Sequence, residues 1–466
     1  MFQYLLFFTE PTMRRLATAV TLALASTTTT AANVILIVGD GMDDQQVTIA
    51  RDYLKGANGQ LLLDQMPVRS AVQILTVEDN TEGKPVYVAD SANTATSLAT
   101  GAVTSRGRIA TSAGDDRDLP TIVELARAAG LRTGIVSSAS VTDATPASFA
   151  AHISYRMCEN PELMADITYS GIHLGHCQQD MKANGGAGSI SEQLAVSGLD
   201  VLLGGGAKHF QPTVEGGTES VLRSAQLAGF SVVRSRDELL AAEPGERLLG
   251  LFAPGTLPVR MRGEDGREAE APRPSLLNRL HQYLGSVELP EPMRCEPNPE
   301  AAGIPSLKEM TDTALQQLSH NNERGFFLMV ESASIDKQSH ERKPCGSIGE
   351  LEQLDEVLAS ALDFAAQHPD TLVLVTADHS QAAQLIPQRS MFEAYTVPIY
   401  TPGKMARIIT PEGSIMGVNY ATNDFGYEEH TGANVPLYGN AAAEGRVKTF
   451  QRQSELFGIM REFLGL

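Results

Sequence analysis

The 466-residue chain is 42% hydrophobic, enough to bury a large core, and its 41 glycines and 24 prolines are too few for a low-complexity sequence. Its 36 lysines and arginines face 56 aspartates and glutamates, a formal charge of −20 that excludes a sequence-independent nucleic-acid scaffold, because phosphate backbones need a positive footprint. The same charge repels small anions, so any such ligand must be caught by a local arginine, metal ion or helix N-terminus.

At the N-terminus, the apolar run Phe2 to Phe8 stops at Glu10 and Pro11. A leader starting at Met13 reads better: Arg14 and Arg15 give a positive end, Leu16 to Ala25 an apolar stretch, and Thr29 to Ala32 small residues suited to cleavage near Ala32. This predicts residues 1–32 as a signal peptide and a mature protein that is periplasmic or secreted. No later stretch has the ~20 apolar residues of a membrane span, so no membrane partner is expected. Cys158, Cys177, Cys295 and Cys345 are an even number in a chain read as exported, which predicts two disulfides. Three pairings are open, of which the sequential one closes the shortest loops.

Residues 33–466 read as one domain. Short β-branched runs, Asn33 to Val38, Thr133 to Val136, Val201 to Leu203, Phe326 to Val330 and Leu372 to Thr376, each end in a polar or glycine-containing turn. Between them, Thr121 to Ala129, Ser306 to Leu318 and Ile348 to Gln367 space apolar residues as helices do. The alternation predicts an α/β fold, a mainly parallel sheet with helices on both faces. Ala253 to Pro299, without strand runs, and Gln381 to Glu429, rich in Pro and Gly, read as insertions around 253–299 and 381–429.

Ligands of such sheets gather beyond the carboxyl ends of the strands, where Asp40, Glu331, Asp378 and His379 fall. In DSANTATSLATG, Asp90 is placed to cap a helix whose first residue, Ser91, meets free N–H groups and a positive dipole end, an environment for a nucleophile or a phosphate. Asp336 and His340, four apart, share one face of a helical turn and can grip one ion. Asp378 and His379 are adjacent, so they cooperate only at an irregular strand end. His430 stands beside a glycine turn, and histidine nitrogen with carboxylate oxygen suits zinc, an all-oxygen set magnesium. Further along, Asp143 and Thr145 offer hard oxygens and Arg156 a planar fork for two phosphate oxygens.

In this order the segments resemble the alkaline phosphatase family, closest to the bacterial periplasmic enzymes of the enteric type, along nearly the whole mature chain. FFLMVESASIDKQSH, EPNPEAAG beside Cys295 and KPCGSIGE at Cys345 carry the resemblance most specifically. It implies a phosphomonoesterase acting at alkaline pH through a phosphoserine, with Ser91 as nucleophile and Arg156 as phosphoryl clamp. It implies two zinc ions and one magnesium per subunit: one zinc on Asp336, His340 and His430, the other on Asp40, Asp378 and His379, and magnesium on Asp40, Thr145 and Glu331 with Asp143 and Lys337 beyond it. The resemblance also implies the sequential pairs Cys158–Cys177 and Cys295–Cys345, a homodimer, and a crown-type insertion within 381–429.

Departures from the family pattern are Asp43 and Ser332, both standing where glycine is usual, a long interval from His379 to His430, and a mature start too close to Asp40 for the partner-embracing arm of the enteric enzymes. The last predicts a smaller dimer interface, and the long interval a remodelled crown. A phosphodiesterase or sulfatase of the same superfamily fits less well, since Arg156 with Asp40, Thr145 and Glu331 resembles machinery for a terminal dianion. A noncatalytic phosphate- or metal-binding protein would have no use for an intact Ser91 beside a complete ligand set.

Overall fold

The computed structural model describes residues 31–169, 171–281, 283–388 and 402–466. Most of the expected signal peptide and residues 389–401 of the second insertion lie outside the described residues.

A ten-stranded sheet forms the centre. Its strands in chain order are β1 (Ala32–Gly39), β2 (Val68–Gln73), β3 (Arg132–Ser140), β4 (Val201–Gly205), β5 (Ser231–Val233), β6 (Leu248–Leu251), β7 (Gly325–Ser332), β8 (Thr371–Ala377), β9 (Val435–Gly439) and β10 (Phe450–Arg452). Their spatial order is β10-β2-β9-β8-β1-β7-β3-β4-β6-β5. All pairings are parallel except those of β9, which runs antiparallel to β8 and β2.

Successive side chains of a strand point to opposite faces, so a strand buried at every position is covered on both. β7 and β8 are buried throughout, and Val34 to Val38 of β1 are fully shielded. Each of these aliphatic side chains contributes about 1.5–3 kcal/mol by leaving water. Two helix groups supply the cover. One comprises α1 (Asp44–Lys55), α3 (Leu307–Ser319) and α5 (Pro344–Gln367); the other includes α2 (Ser91–Thr100) and α6 (Glu455–Leu464), and both α5 and α6 rest on β1. Ser306 and Glu309 close a capping box at the start of α3, and Pro344 opens α5 where its missing N–H costs nothing.

The expectation that 253–299 lacks strands is corrected. Met261–Gly263 pairs with Cys295–Pro297 and Arg273–Pro274 with Val287–Glu288, ladders too short to leave a periodic signal. In the second insertion, Gln384–Ile386, Ile415–Tyr420 and Lys404–Ile409 form a three-stranded antiparallel sheet, which touches the first insertion through the Glu270 to Met405 bridge. The disulfides join Cys158 to Cys177 and Cys295 to Cys345.

Candidate active site

Strand register sets the site. Val38 lies level with both Glu331 and Thr376, so Asp40, Glu331 and Asp378 come out along one edge of the sheet. β8 stops at Ala377, leaving Asp378 and His379 in irregular chain where neighbouring side chains can share one space. Gly41 turns the chain after β1 with φ +69°, and its N–H donates to Asp378 Oδ1 at 3.0 Å. A Cβ there would meet Gln381 Cγ at 2.8 Å and Asp336 Cβ at 3.0 Å, so only glycine allows this approach.

Ser91 is the first residue of α2 and is buried. Asp90 caps the helix, accepting from the Asn93 N–H at 3.1 Å while Asn93 Oδ1 accepts from the Asp90 N–H at 2.9 Å. Ser91 Oγ lies 3.2 Å from His379 Nε2. The helix α4 (Ser334–His340) carries Asp336, Lys337 and His340, and Asp143 caps the single turn Ala144–Ala147 that holds Thr145.

The three histidines are oriented alike. Nδ1 of His340 faces the carbonyl of Glu428, that of His430 the carbonyl of Ala89 at 2.9 Å, and that of His379 the carbonyl of Ser380 at 3.3 Å. A carbonyl only accepts, so each Nδ1 carries the proton and each Nε2 turns a lone pair inward. His340 Nε2 is 3.2 Å and His430 Nε2 3.4 Å from Asp336, while His379 Nε2 is 3.3 Å from Asp40 and 3.4 Å from Asp378. The Nε2 atoms of His340 and His430 stand 3.0 Å apart, repulsive for two lone pairs without a cation between them. Asp40 Oδ1, Asp378 Oδ2 and Thr145 Oγ1 are buried without a hydrogen-bond partner. Donor atoms of Asp40, Asp378 and His379, and of Asp336, His379 and His430, gather within 4.8 Å of one another. This donor set fits divalent metal ions.

The electrostatics agree. Burial, then repulsion from Asp378, Asp336 and Glu331, pushes Asp40 well above the usual carboxylate range. Burial and Asp336 raise Asp378 to about 6, and burial with Asp143 nearby raises Glu331 to about 8 although Ser137 donates to it. Burial would raise Asp143 too, but Lys337 and Arg156 more than cancel it and hold the carboxyl far down. Arg156 donates to Asp143 at 3.0 Å and Asp90 at 3.3 Å, and Lys337 donates to the other Asp143 oxygen. Beside Lys337 a cavity of about 470 Å³ opens, walled by Arg262, Arg267, Gln338, Lys343 and Tyr427.

All the singled-out residues from Asp40 to His430 thus meet at one edge of the sheet. Others there were not read from sequence. Gln381 donates to Asp336 Oδ1 at 2.6 Å, and the Tyr427 ring stacks on His340 with centroids 4.3 Å apart. The only signal for either was proximity in sequence to His379 or His430. Asp43 caps α1, its Oδ1 accepting from the N–H groups of Gln45 and Gln46. Ser332 donates to the Glu350 carbonyl at 2.9 Å, so both departures have local partners.

A family model described as alkaline phosphatase matches residues 31–466. Streptomycin-6-phosphate phosphatase of Streptomyces griseus is 41% identical over 448 residues, covering 94% of this chain and 91% of its own. Alkaline phosphatase of Escherichia coli K12 is 37% identical over 444 residues, 94% of this chain and 86% of its own. In three dimensions, alkaline phosphatase from the Antarctic bacterium TAB5 superposes with a TM-score of 0.65 over 94% of this chain and 99% of that one, at 21% identity, a likeness of fold. With catalytic-type residues converging where a parallel sheet presents its ligands, the chain belongs to the alkaline phosphatase family of metal-dependent phosphomonoester hydrolases.

Proposed function

We propose that hydrolysis proceeds by two successive transfers at phosphorus, with Ser91 phosphorylated between them. The observation that carries this is the place of Ser91 Oγ, at a helix N-terminus and 3.2 Å from His379 Nε2, beside a cluster of inward-facing carboxylates and imidazoles. Asp336, His340 and His430 would hold one zinc, Asp40, Asp378 and His379 the other, and Asp40, Thr145 and Glu331 a magnesium. When bound, these ions supply Lewis acidity that lowers the pKa of an attacking hydroxyl or water and balances charge on the leaving oxygen.

Arg156 offers its fork to two phosphoryl oxygens, and Asp90 and Asp143 aim it. The first N–H groups of α2 add donors to the same phosphoryl group. Ser91 Oγ bonds to phosphorus as the ester P–O bond breaks, and the alcohol departs with the serine proton. Water then attacks the phosphoserine from the side the alcohol left, releasing inorganic phosphate and restoring the hydroxyl. Two inversions give net retention at phosphorus. Charge in the loose transition state spreads over the three equatorial oxygens, which favours a terminal dianion over a diester at this clamp.

p-Nitrophenyl phosphate is expected to be cleaved at alkaline pH and its bis-ester poorly. Chelation abolishes activity, zinc with magnesium restores it, and metal analysis returns two zinc ions and one magnesium per chain; full activity after exhaustive chelation would refute the metal reading. Ser91→Ala lowers kcat by about 10³-fold or more and leaves no acid-stable phosphoenzyme. Labelled phosphate still trapped covalently in that variant would remove Ser91 from its role.

Export to the periplasm or medium and a homodimer complete the proposal. Two disulfides suit an oxidising compartment, and among the described residues no helix is long and apolar enough to cross a membrane. Sedimentation as a monomer at micromolar concentration would overturn the dimer.

A further inference from the structure

Two residues that the proposed reaction leaves unused hold the histidine arm of the site from behind. Arg342 follows His340 by two positions and Glu428 precedes His430 by two. Both side chains are buried, at 2% and 0% exposure, and Arg342 Nε donates to Glu428 Oε2 at 2.6 Å. Arg342 takes φ +59°, a left-handed conformation that residues with a Cβ seldom adopt, which turns its guanidinium back under the loop 422–430. There it also donates to the Phe425 carbonyl at 2.8 Å and to Asn423. Glu428 spends its second oxygen on the N–H of Thr422, at 2.6 Å, and on the Thr422 hydroxyl. The backbone of Glu428 grips His340 at both ends: its N–H donates to the His340 carbonyl at 2.9 Å, and its own carbonyl accepts from His340 Nδ1–H. Tyr427 covers one face of the same imidazole.

The loop is therefore tied to the end of α4 by a shielded ion pair, and His340 and His430 are the residues this tie brings together. We propose that Arg342 and Glu428 are positioning residues for the Asp336 metal site, setting the distance between the Nε2 atoms of His340 and His430 and so the residence time of the ion they share. This rests on the proposed assignment of Asp336, His340 and His430 as ligands. Removing the group hydrogen-bonded to a metal ligand typically changes metal affinity by about 10–100-fold; here that group is the Glu428 carbonyl, which the Arg342–Glu428 pair holds in place.

The test follows zinc in the purified holoenzyme. Zinc per chain is measured after desalting, and release is timed with a chromophoric chelator for the wild type, Glu428→Gln, Arg342→Met, Thr422→Val and His340→Ala. Glu428→Gln and Arg342→Met are expected to release one zinc equivalent about 10–100-fold faster, with the remaining metal leaving at the wild-type rate and activity recovering in excess zinc. Thr422→Val, which removes the hydroxyl that donates to Glu428 and accepts from the Glu429 N–H within the same loop, shortens the residence of that same equivalent to a lesser degree and covers the case in which the charge variants do not fold. If His340→Ala keeps the full zinc content, the ligand assignment fails and the positioning role falls with it. If His340→Ala loses one equivalent while the folded Glu428 and Thr422 variants release zinc as the wild type does, the ligands stand and the positioning role alone is overturned.

Discussion

Asp40, Asp378 and Glu331 are carboxyls that hold their protons more tightly in the folded chain than in an unfolded one. Burial and neighbouring carboxylates push Asp378 up to about 6 and Glu331 up to about 8, so between the ordinary carboxyl range and those values the folded metal-free protein carries the more protons. Its stability must then fall as pH rises through that window. His430 adds to the fall: burial pulls it down, but Asp336 outweighs this and holds it above its ordinary value. His379, held down chiefly by burial, opposes the trend only up to the usual imidazole value of 6.5. Asp143 and Asp336, both held low, act below the window. Chelated protein is therefore expected to melt at progressively lower temperature from about pH 5 to about pH 8, with metal flattening the profile; a constant Tm in chelated protein would contradict it. At this scale the sequence was readable where one local pattern carried the chemistry. Asp336 and His340 announce a shared helical face, and Asp90 announces a cap over Ser91. Nothing local links Arg342 to Glu428 or Gln381 to Asp336, because those contacts are made by loops that only the assembled sheet brings together.

Elements explain which parts of the frame were legible. β1, β7 and β8 each carry an uninterrupted apolar run (Val34 to Val38, Phe326 to Val330, Leu372 to Val375) because they lie at the centre of the sheet and are covered on both faces, and such runs can be recognised without knowing their partners. β2 alternates between buried and partly exposed positions, β9 carries Pro436 within five residues, and β10 has three residues. Those strands owe their existence to the neighbour they pair with more than to their own composition. The disulfides act at the level of elements too. Cys345 is the second residue of α5 and Cys158 follows Arg156 by two positions, so one bridge anchors a core helix to the first insertion and the other steadies the chain bearing the phosphoryl clamp. By loop closure, bridges separated by 50 and 19 residues stabilise by about 4 and 3 kcal/mol. Replacing Cys295 and Cys345 by serine should give the larger loss in urea unfolding. The Cys158 and Cys177 pair should instead weaken inhibition by inorganic phosphate as well as stability. Unchanged phosphate inhibition would show that Arg156 is held by Asp90 and Asp143 alone.

For the whole molecule, the charge of −20 and a site for dianions are in tension. The exterior repels the substrate over distances comparable to a Debye length, while Arg156, Lys337, the start of α2 and bound cations attract it only close in. Added salt screens the long-range part first, so kcat/KM measured well below saturation should rise with ionic strength. A flat or falling response would mean that the local field already governs capture.

The order of strands has a consequence for how the chain is made. β1, the described strand nearest the N-terminus, is flanked only by β7 and β8, so Ala32 must wait for Gly325, and Asn33 for Thr371, before either edge of its backbone is paired. Until then a run of Val, Ile and Leu is an unpaired, sticky edge on a nascent polypeptide, and such long-range pairing is slow. A chain halted before β8 can pair β1 with β7 alone, leaving the other edge of β1 open, and it lacks Asp378, His379 and His430 of the site. The site is therefore completed only when the last part of the chain has joined the sheet, and one edge of β1 stays open until then.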